Sequence, residues 1–361
     1  AWSEARIETC EATLDERGEP ETLERAVLCL DRRLTAIDEL ARLMIEEPHE
    51  VIEHAVDATA DLPAIEDCRR SDVTLREGHA PHPLDERRLA TVHRELARAQ
   101  AHFDAADYEG GLAVAARVAE GARELHEPTL ARALLLRGRF EAQLALGEAA
   151  DATLFAAQVA AESSGANASA ALALIERAQV QGRLIGDYES AERLLTLARA
   201  RIDRLELGQQ ARARLEQETV FLRRMQGRYD EARVAAEALL DLRERGHQGP
   251  HARLGDAYMA LAEVHYKLRN FDEAAEKIHL ALDAWSSTHG SAHPSTSAAS
   301  QRLGDIAWRT GHYDAALEHH RRAYEIEEAA RGSEHPDTLK RLMGVANVQA
   351  VLGQHDVRTR R

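Results

Sequence analysis

Segments of one pattern recur near the C-terminus at a constant step of 42 residues: Gly227-Arg-Tyr229-Asp-Glu-Ala232, Arg269-Asn-Phe271-Asp-Glu-Ala274 and Gly311-His-Tyr313-Asp-Ala-Ala316, with a degenerate copy at Gly353-Gln-His355-Asp. A second marker keeps the same step, as Gly290-Ser-Ala-His293-Pro294 and Gly332-Ser-Glu-His335-Pro336. A repeat of this length is one supersecondary unit that cannot bury its apolar face alone, so the chain must stack its copies. Weaker copies at Gly186-Asp-Tyr188-Glu-Ser-Ala191, Gly147-Glu-Ala149-Ala-Asp-Ala152 and Ala106-Asp-Tyr108-Glu-Gly-Gly111 stand 39 to 41 residues apart. Residues 79–361 therefore read as an array of about seven units, the last truncated, and residues 1–78 as an N-terminal helical hairpin or capping region.

One unit shows the physical roles. Leu303, Ile306, Ala307 and Leu317 recur at helical spacing. Gly304 and Ala316 are small, so two helices can approach closely there. Gly311 suits a left-handed cap that ends the first helix, and Tyr313 opens the second and wedges into the gap between them. Pro128, Pro250, Pro294 and Pro336 fall between helical patterns, as helix breakers should. No segment alternates like a strand. The predicted class is all-α, built from antiparallel helix pairs.

These residues resemble the tetratricopeptide repeat, and the 42-residue step with its Gly-x-x-His-Pro loop resembles the kinesin light chain subtype. The likeness is specific over residues 210–355 and looser over 84–209. It departs from the pattern at Arg269, which replaces the turn glycine, at Ala149, which replaces the aromatic wedge, and in the missing final helix. The resemblance implies a right-handed superhelical solenoid and a role in binding proteins.

Composition limits the functions open to such a chain. Hydrophobic residues reach 44% with only 4% aromatic, which suits close helix–helix contacts of Ala and Leu. A net charge of −16 argues against nucleic acid as a partner. Charged residues interrupt each apolar run well short of a membrane span, and the opening Trp2-Ser-Glu-Ala-Arg-Ile reads as an amphipathic helix rather than a signal peptide. A soluble segment is expected, on either side of a membrane. Its start without Met suggests a fragment of something longer.

Residues 2–17 and 21–46 read as two helices joined by Gly18-Glu-Pro20. The second carries Leu23, Val27, Leu30, Leu34, Ile37, Ala41 and Met44 at alternating four- and three-residue steps, a seam for a partner helix. That partner is either the other arm of the hairpin or a second copy of the chain. Cys10 and Cys29 lie almost equidistant from the turn, so a hairpin would oppose them as a disulfide or as two buried thiols. The pattern Trp2, Arg6, Cys10, Thr13, then Cys29-Leu-Asp-Arg-Arg33, then Leu62-Pro63 and Cys68 resembles the region preceding the repeats in bacterial serine/threonine kinases of the myxobacterial kind. It implies the sensor or docking tail of such a kinase. The chain itself carries no Gly-rich phosphate loop, His-Arg-Asp or Asp-Phe-Gly motif.

Catalytic and metal chemistry finds no footing, and no cofactor is expected. His49 and His54 in His49-Glu50-Val-Ile-Glu53-His54 are five apart, where a helical zinc motif needs four. The cysteines lack ligand spacing. His293 and His335 follow the repeat period and read as structural, while His319-His320 beside Arg321 and Arg322 reads as a solvated charged face. Asn167-Ala-Ser169 is a glycosylation-type tripeptide of a kind that arises by chance.

A protein or peptide is the expected ligand. In stacked helix pairs the first helix of each unit lines the concave face. The register set by Ala262 and Gly304 places Arg224, Tyr266 and Trp308 on that face, with Lys267 and Arg309 beside them and Glu263, Asp305 and Asn347 one turn earlier. Tyr, Trp and Arg dominate binding energy at interfaces. Trp308 either meets a ligand or packs on the next unit. The last helix, with Leu342, Val345 and Leu352, is expected to present an open apolar face, which makes self-assembly there or through the N-terminal seam the alternative function.

Overall fold

The computed structural model describes residue 7 and residues 20–46, 58–59, 86–123, 127–246, 252–291 and 293–353. All regular structure among them is helical. A long helix, α1 (Pro20–Glu46), precedes α2 (Glu86–Asp104) and α3 (Tyr108–Ala122), then α4 (Glu127–Gln143) and α5 (Gly147–Ser163). Next come α6 (Asn167–Val180), prolonged by a π-helical turn at Gln181–Ile185, and α7 (Tyr188–Arg204). The pairs continue as α8 (Gln209–Met225) with α9 (Tyr229–Gly246), α10 (Ala252–Leu268) with α11 (Phe271–His289), and α12 (Pro294–Arg309) with α13 (Tyr313–Arg331). The last described helix is α14 (Pro336–Val351). The chain divides into two units, residues 1–218 and 219–361, with the boundary inside α8.

Each even-numbered leading helix from α2 to α12 ends in a left-handed residue that turns the chain into its partner. These residues are Ala106, Ala145, Gly186, Gly227, Arg269 and Gly311, and Gly353 follows α14 in the same way. At the six turns from Ala106 to Gly311 the amide after the left-handed residue donates back into the helix, as in Asn270 to the His265 carbonyl at 2.9 Å and His312 to the Ala307 carbonyl at 2.8 Å. The weak copy at Gly147 is thereby corrected. Its left-handed residue is Ala145 and its second helix opens at Gly147, two residues earlier than a Gly147-to-turn alignment implies. The wedge position there is held by Gly147, not Ala149, and the small buried residue is Ala150. The π turn in α6 takes up one extra residue, because Asp187 reaches back to the Gln181 carbonyl, six positions away, at 2.8 Å.

Arg269 has φ +65° where five other turns have glycine or alanine and Gly311 has +82°. A β-carbon in this region costs roughly 1–2 kcal/mol, and glycine's extra chain entropy costs roughly 0.5–1 kcal/mol. Arg269→Gly is therefore expected to stabilise the protein by about 0.5–1 kcal/mol. A urea titration that moved the midpoint down would contradict this.

Between pairs, the Gly-x-x-His-Pro loops work through three adjacent devices. Gly290 and Gly332, both at φ +83°, terminate α11 and α13. The Nδ1 atoms of His293 and His335 accept the amides of Ser295 and Asp337 at 3.3 and 3.2 Å, capping α12 and α14. Pro294 and Pro336 then occupy the first turn, where the missing amide donor costs nothing. Both histidines are structural. Pro128 also stands in the first turn of its helix, α4, rather than between helices.

The core consists of small residues interlocked with a few large ones. In the first unit Phe140, fully buried, packs with Leu96, Ala99, Val114, Ala115 and Leu136 across α2, α3 and α4. In the second, Trp285 and Ile278 from α11 fill the space among Ala262, Ala299 and Leu303 of α10 and α12. Each large aliphatic side chain so buried contributes roughly 1.5–3 kcal/mol.

Two apolar faces differ from expectation. On α1 the buried residues are Leu30, Glu39, Leu40 and Leu43, of which Leu40 and Leu43 pack with Ala58, Ala101 and Ala105, while Leu34 and Ile37 of the expected seam are exposed. Leu40 and Leu43 lie about one helical step from Ala41 and Met44, and docking on the small Ala101 and Ala105 selects their side; Met44 packs at its margin. The side chains of Leu23, Val27 and Cys29, the whole of Cys10, Cys68 and the His49–His54 segment lie outside the described residues. On α14, Val345 is buried and Leu352 packs against it, whereas Leu339, Leu342, Met343 and Val351 are exposed.

Candidate functional site

The expected ligand-binding residues fall on α8, α10, α12 and α14, within the unit of residues 219–361. Five of them form one continuous polar cluster, joined by a residue that the sequence pattern did not single out. Glu263 of α10 is gripped from one side by Arg224 of α8 and from the other by Arg302 of α12, the latter at 3.2 Å. Arg302 also pairs with Asp305 one turn on, at 3.0 Å, and its guanidinium lies 5.0 Å from the centre of the Tyr266 ring. On the same ring Arg309 sits 5.7 Å from the centre and donates Nε–H to the Tyr266 hydroxyl at 3.2 Å. Arg224, Glu263, Tyr266, Asp305 and Arg309 are thus brought together, with Arg302 as the link. Its signal was its place three residues before Asp305, on the same helical stripe.

Three other expected residues stand differently. Lys267 is exposed next to Tyr266. Trp308 is half-buried; its ring meets Tyr313 edge to face at 5.3 Å and packs against the cluster of Ala307, Ala316, Leu317, Val345 and Val348. Tyr266 meets Phe271 in the same way at 5.8 Å. The two aromatic residues therefore clasp the wedge residue of their own unit, and what each offers a ligand is the remaining edge. Asn347 is exposed on α14. The cluster is half-open rather than enclosed, with no converging nucleophile and base. Among the described residues no group of His, Cys, Asp and Glu could hold a metal ion.

The first unit carries a more deeply buried network on its own leading helices. Glu176 of α6 receives Arg214 of α8 at 3.1 Å and Arg139 of α4 at 3.8 Å. Glu218 pairs with Arg183 at 3.2 Å. Burial pushes the Glu218 carboxyl above its ordinary range. Burial acts on Glu176 too, but Arg214 and Arg139 outweigh it and hold that carboxyl below its ordinary range. A buried pair of this kind adds little net stability, because the cost of desolvating both charges offsets their attraction.

His320 corrects the expectation of a solvated histidine pair. It is 5% exposed, and its ring is held between Gly304 of α12 and Gly344 of α14, where an added β-carbon on either glycine would stand 2.8 Å from it. Its Nε2 lies 3.8 Å from Asp305 Oδ1, and its buried Nδ1 has no hydrogen-bond partner. Burial lowers its pKa below the ordinary 6.5, opposed by Asp305 and assisted by His319 and Arg341. A depressed histidine binds its proton more readily when unfolded, so the stability it confers is present above about pH 6.5 and is lost as pH falls through that value. Urea midpoints should fall between pH 7.5 and 5, and the fall should be smaller in His320→Leu. An equal fall in both proteins would contradict this assignment.

Among the described residues no helix is long and apolar enough to cross a membrane. Residues 253–329 match a family model of the tetratricopeptide repeat. No curated protein matches the sequence. Solved structures match at low identity. The Rap protein complexed with competence and sporulation factor shares 14% identity over 90% of this chain and 89% of its own, at a TM-score of 0.55. A signal-transduction ATPase of Pyrococcus horikoshii with a tetratricopeptide repeat sensor shares 13% over 75% of this chain and 50% of its own, at 0.56. The Cut9–Hcn1 hetero-tetramer of APC/C shares 12% over 90% and 56%, also at 0.56. At these identities the likeness establishes architecture alone: the chain has the all-α tetratricopeptide fold.

Proposed function

We propose that the chain is a non-catalytic scaffold that binds a protein or peptide on its leading helices. Tetratricopeptide repeats mediate protein–protein interaction and scaffolding, and the observation that carries the reading here is the cluster of Arg224, Glu263, Tyr266, Arg302, Asp305 and Arg309. Side chains from three successive leading helices meet there, partly open to solvent. A folded core does not need them, and Arg and Tyr are the residue types that anchor interfaces. The 42-residue step and the His-capped, Pro-started loops support the kinesin light chain-like subtype. The division into an N-terminal region over 1–78 and repeats over 79–361 belongs to the same proposal.

The test is affinity capture from lysate by the intact chain and by Arg309→Ala. A partner enriched by the parent and lost in the variant, with unchanged circular dichroism, supports the reading. Equal capture by both contradicts it. We also place the chain as the sensor or docking tail of a bacterial signalling kinase, supported by the pattern from Trp2 to Cys68. The coding frame upstream should then encode a Gly-rich loop, His-Arg-Asp and Asp-Phe-Gly; their absence would remove this placement.

Exposed apolar residues favour a second reading, self-assembly. Leu339, Leu342, Met343 and Val351 are exposed on α14, and Leu34, Ile37 and Ile45 on α1. Sedimentation over a hundredfold concentration range would show dimers that Met343→Glu abolishes. A monomer throughout contradicts self-assembly.

A further inference from the structure

The junction of α12, α13 and α14 carries a titratable side chain where the preceding junction carries an aliphatic one. His320 of α13 stands one period after Ile278 of α11, and both are buried. The residues against the ring change with it: Gly304 stands one period after Ala262, and Gly344 of α14 one period after Arg302. The ring of His320 therefore meets both neighbouring helices, and its two nitrogens face different ones. An added β-carbon on Gly304 of α12 would stand 2.8 Å from Nε2, and one on Gly344 of α14 would stand 2.8 Å from Nδ1.

The two sides are chemically unequal. Towards α12, Nε2 has the Asp305 carboxylate at 3.8 Å, itself paired with Arg302. Towards α14, Nδ1 is buried without a hydrogen-bond partner, and the charged group of that helix acting on the ring is the cation Arg341. On α13 itself, the adjacent His319 also opposes a positive ring. A ring that gains a proton thus keeps an attractive partner on α12. On α14 it acquires a buried donor with no acceptor, which is costly and more so when charged. α14 is also weakly anchored. It and α12 are both 16 residues long, yet α14 buries three of them, Thr338, Val345 and Val348, against eight in α12. Elements with few buried side chains open locally before a domain unfolds.

From the unequal faces of this slot, the geometry points to an acid-operated latch: protonation of His320 releases α14 while α12 and α13 stay paired. Release uncovers the apolar surface of Ala307, Ala316 and Leu317, against which Val345 and Val348 pack in the closed form. Burial holds the docked ring below its ordinary 6.5, and release lifts that burial. The released form therefore binds the proton more readily, so release gains as pH falls below about 6.5 and is suppressed above it. One proton gives at most about a tenfold gain between pH 7.5 and 5.5. The His335 cap of α14 acts in the same direction, because a proton on Nδ1 removes the acceptor of the Asp337 amide. Asn at that position keeps a capping oxygen at every pH, which separates the two effects.

The test is hydrogen exchange of the intact chain, read by mass spectrometry at pH 7.5, 6.5 and 5.5 and corrected for the pH dependence of chemical exchange. Protection of residues 336–351 should fall at least threefold between pH 7.5 and 5.5, while that of 294–309 and 313–331 changes less than half as much. His335→Asn should keep most of this differential fall. Two replacements that cannot titrate, His320→Leu and His320→Gln, should each remove it; where one fails to fold by circular dichroism, the other decides. An equal fall in all three helices would show general unfolding and overturn local release. A fall that survives the His320 substitutions would overturn the role of His320, and its loss in His335→Asn would assign it to the cap. No fall at all would overturn the latch.

Discussion

Trp285→Ala is expected to destabilise the protein by about 3–5 kcal/mol, the cost of emptying a well-packed aromatic site. Trp285 is 4% exposed and belongs to the cluster that joins α10, α11 and α12. Its indole fills the space over Gly255, where an added β-carbon would stand 2.5 Å from Nε1. The Nε1–H donates to Asp256 Oδ1 at 3.2 Å, so the truncation also leaves that carboxylate without this donor. The loss falls on the pairs that carry Glu263 and Tyr266, so peptide binding should fail together with folding. Urea denaturation checks it. A cost below about 1 kcal/mol would mean that the pairs are not held together through this residue.

Gly304→Val is expected to cost about 1–3 kcal/mol or more by overpacking, for a different reason. The ring of His320 occupies the space a side chain on Gly304 would need, and Gly344 encloses it from the other helix. One period earlier the corresponding residues are Ala262 and Ile278, both fully buried. Repeat 6 therefore substitutes an imidazole for an aliphatic wedge and removes the facing methyl to admit it. The two changes should compensate. In a double-mutant cycle, Gly304→Val with His320→Ala should recover a good part of the single-variant losses. Strict additivity would place His320 away from Gly304 and contradict the slot.

The turns and wedges were legible because they are local. A left-handed turn writes itself as glycine, an aromatic residue two positions later opens the next helix, and the 42-residue step makes both visible. Even Arg269, which breaks the glycine rule, was placed by register and adopts the left-handed conformation. The second copy slipped by two residues because Gly147 imitates a turn glycine while the turn falls at Ala145.

What the sequence concealed depends on long-range partners. His320 reads as polar beside His319, Arg321 and Arg322, and only the two glycines from other helices reveal its slot. Arg302 reads as a surface charge until Glu263, 39 residues away, and Tyr266 are seen beneath it. Trp308 left two readings, and its contact with Tyr313 shows a packing role that a residue list cannot express.

The central claim is that recognition occurs on the leading helices of residues 219–361. Panning a random twelve-residue peptide library on the intact chain, followed by hydrogen exchange of the complex with the best peptide, tests it most directly. Slowed exchange in α10 and α12, abolished with binding in Arg309→Glu, is the predicted result. Protection confined to α9, α11 and α13, or no enriched peptide at all, would contradict it.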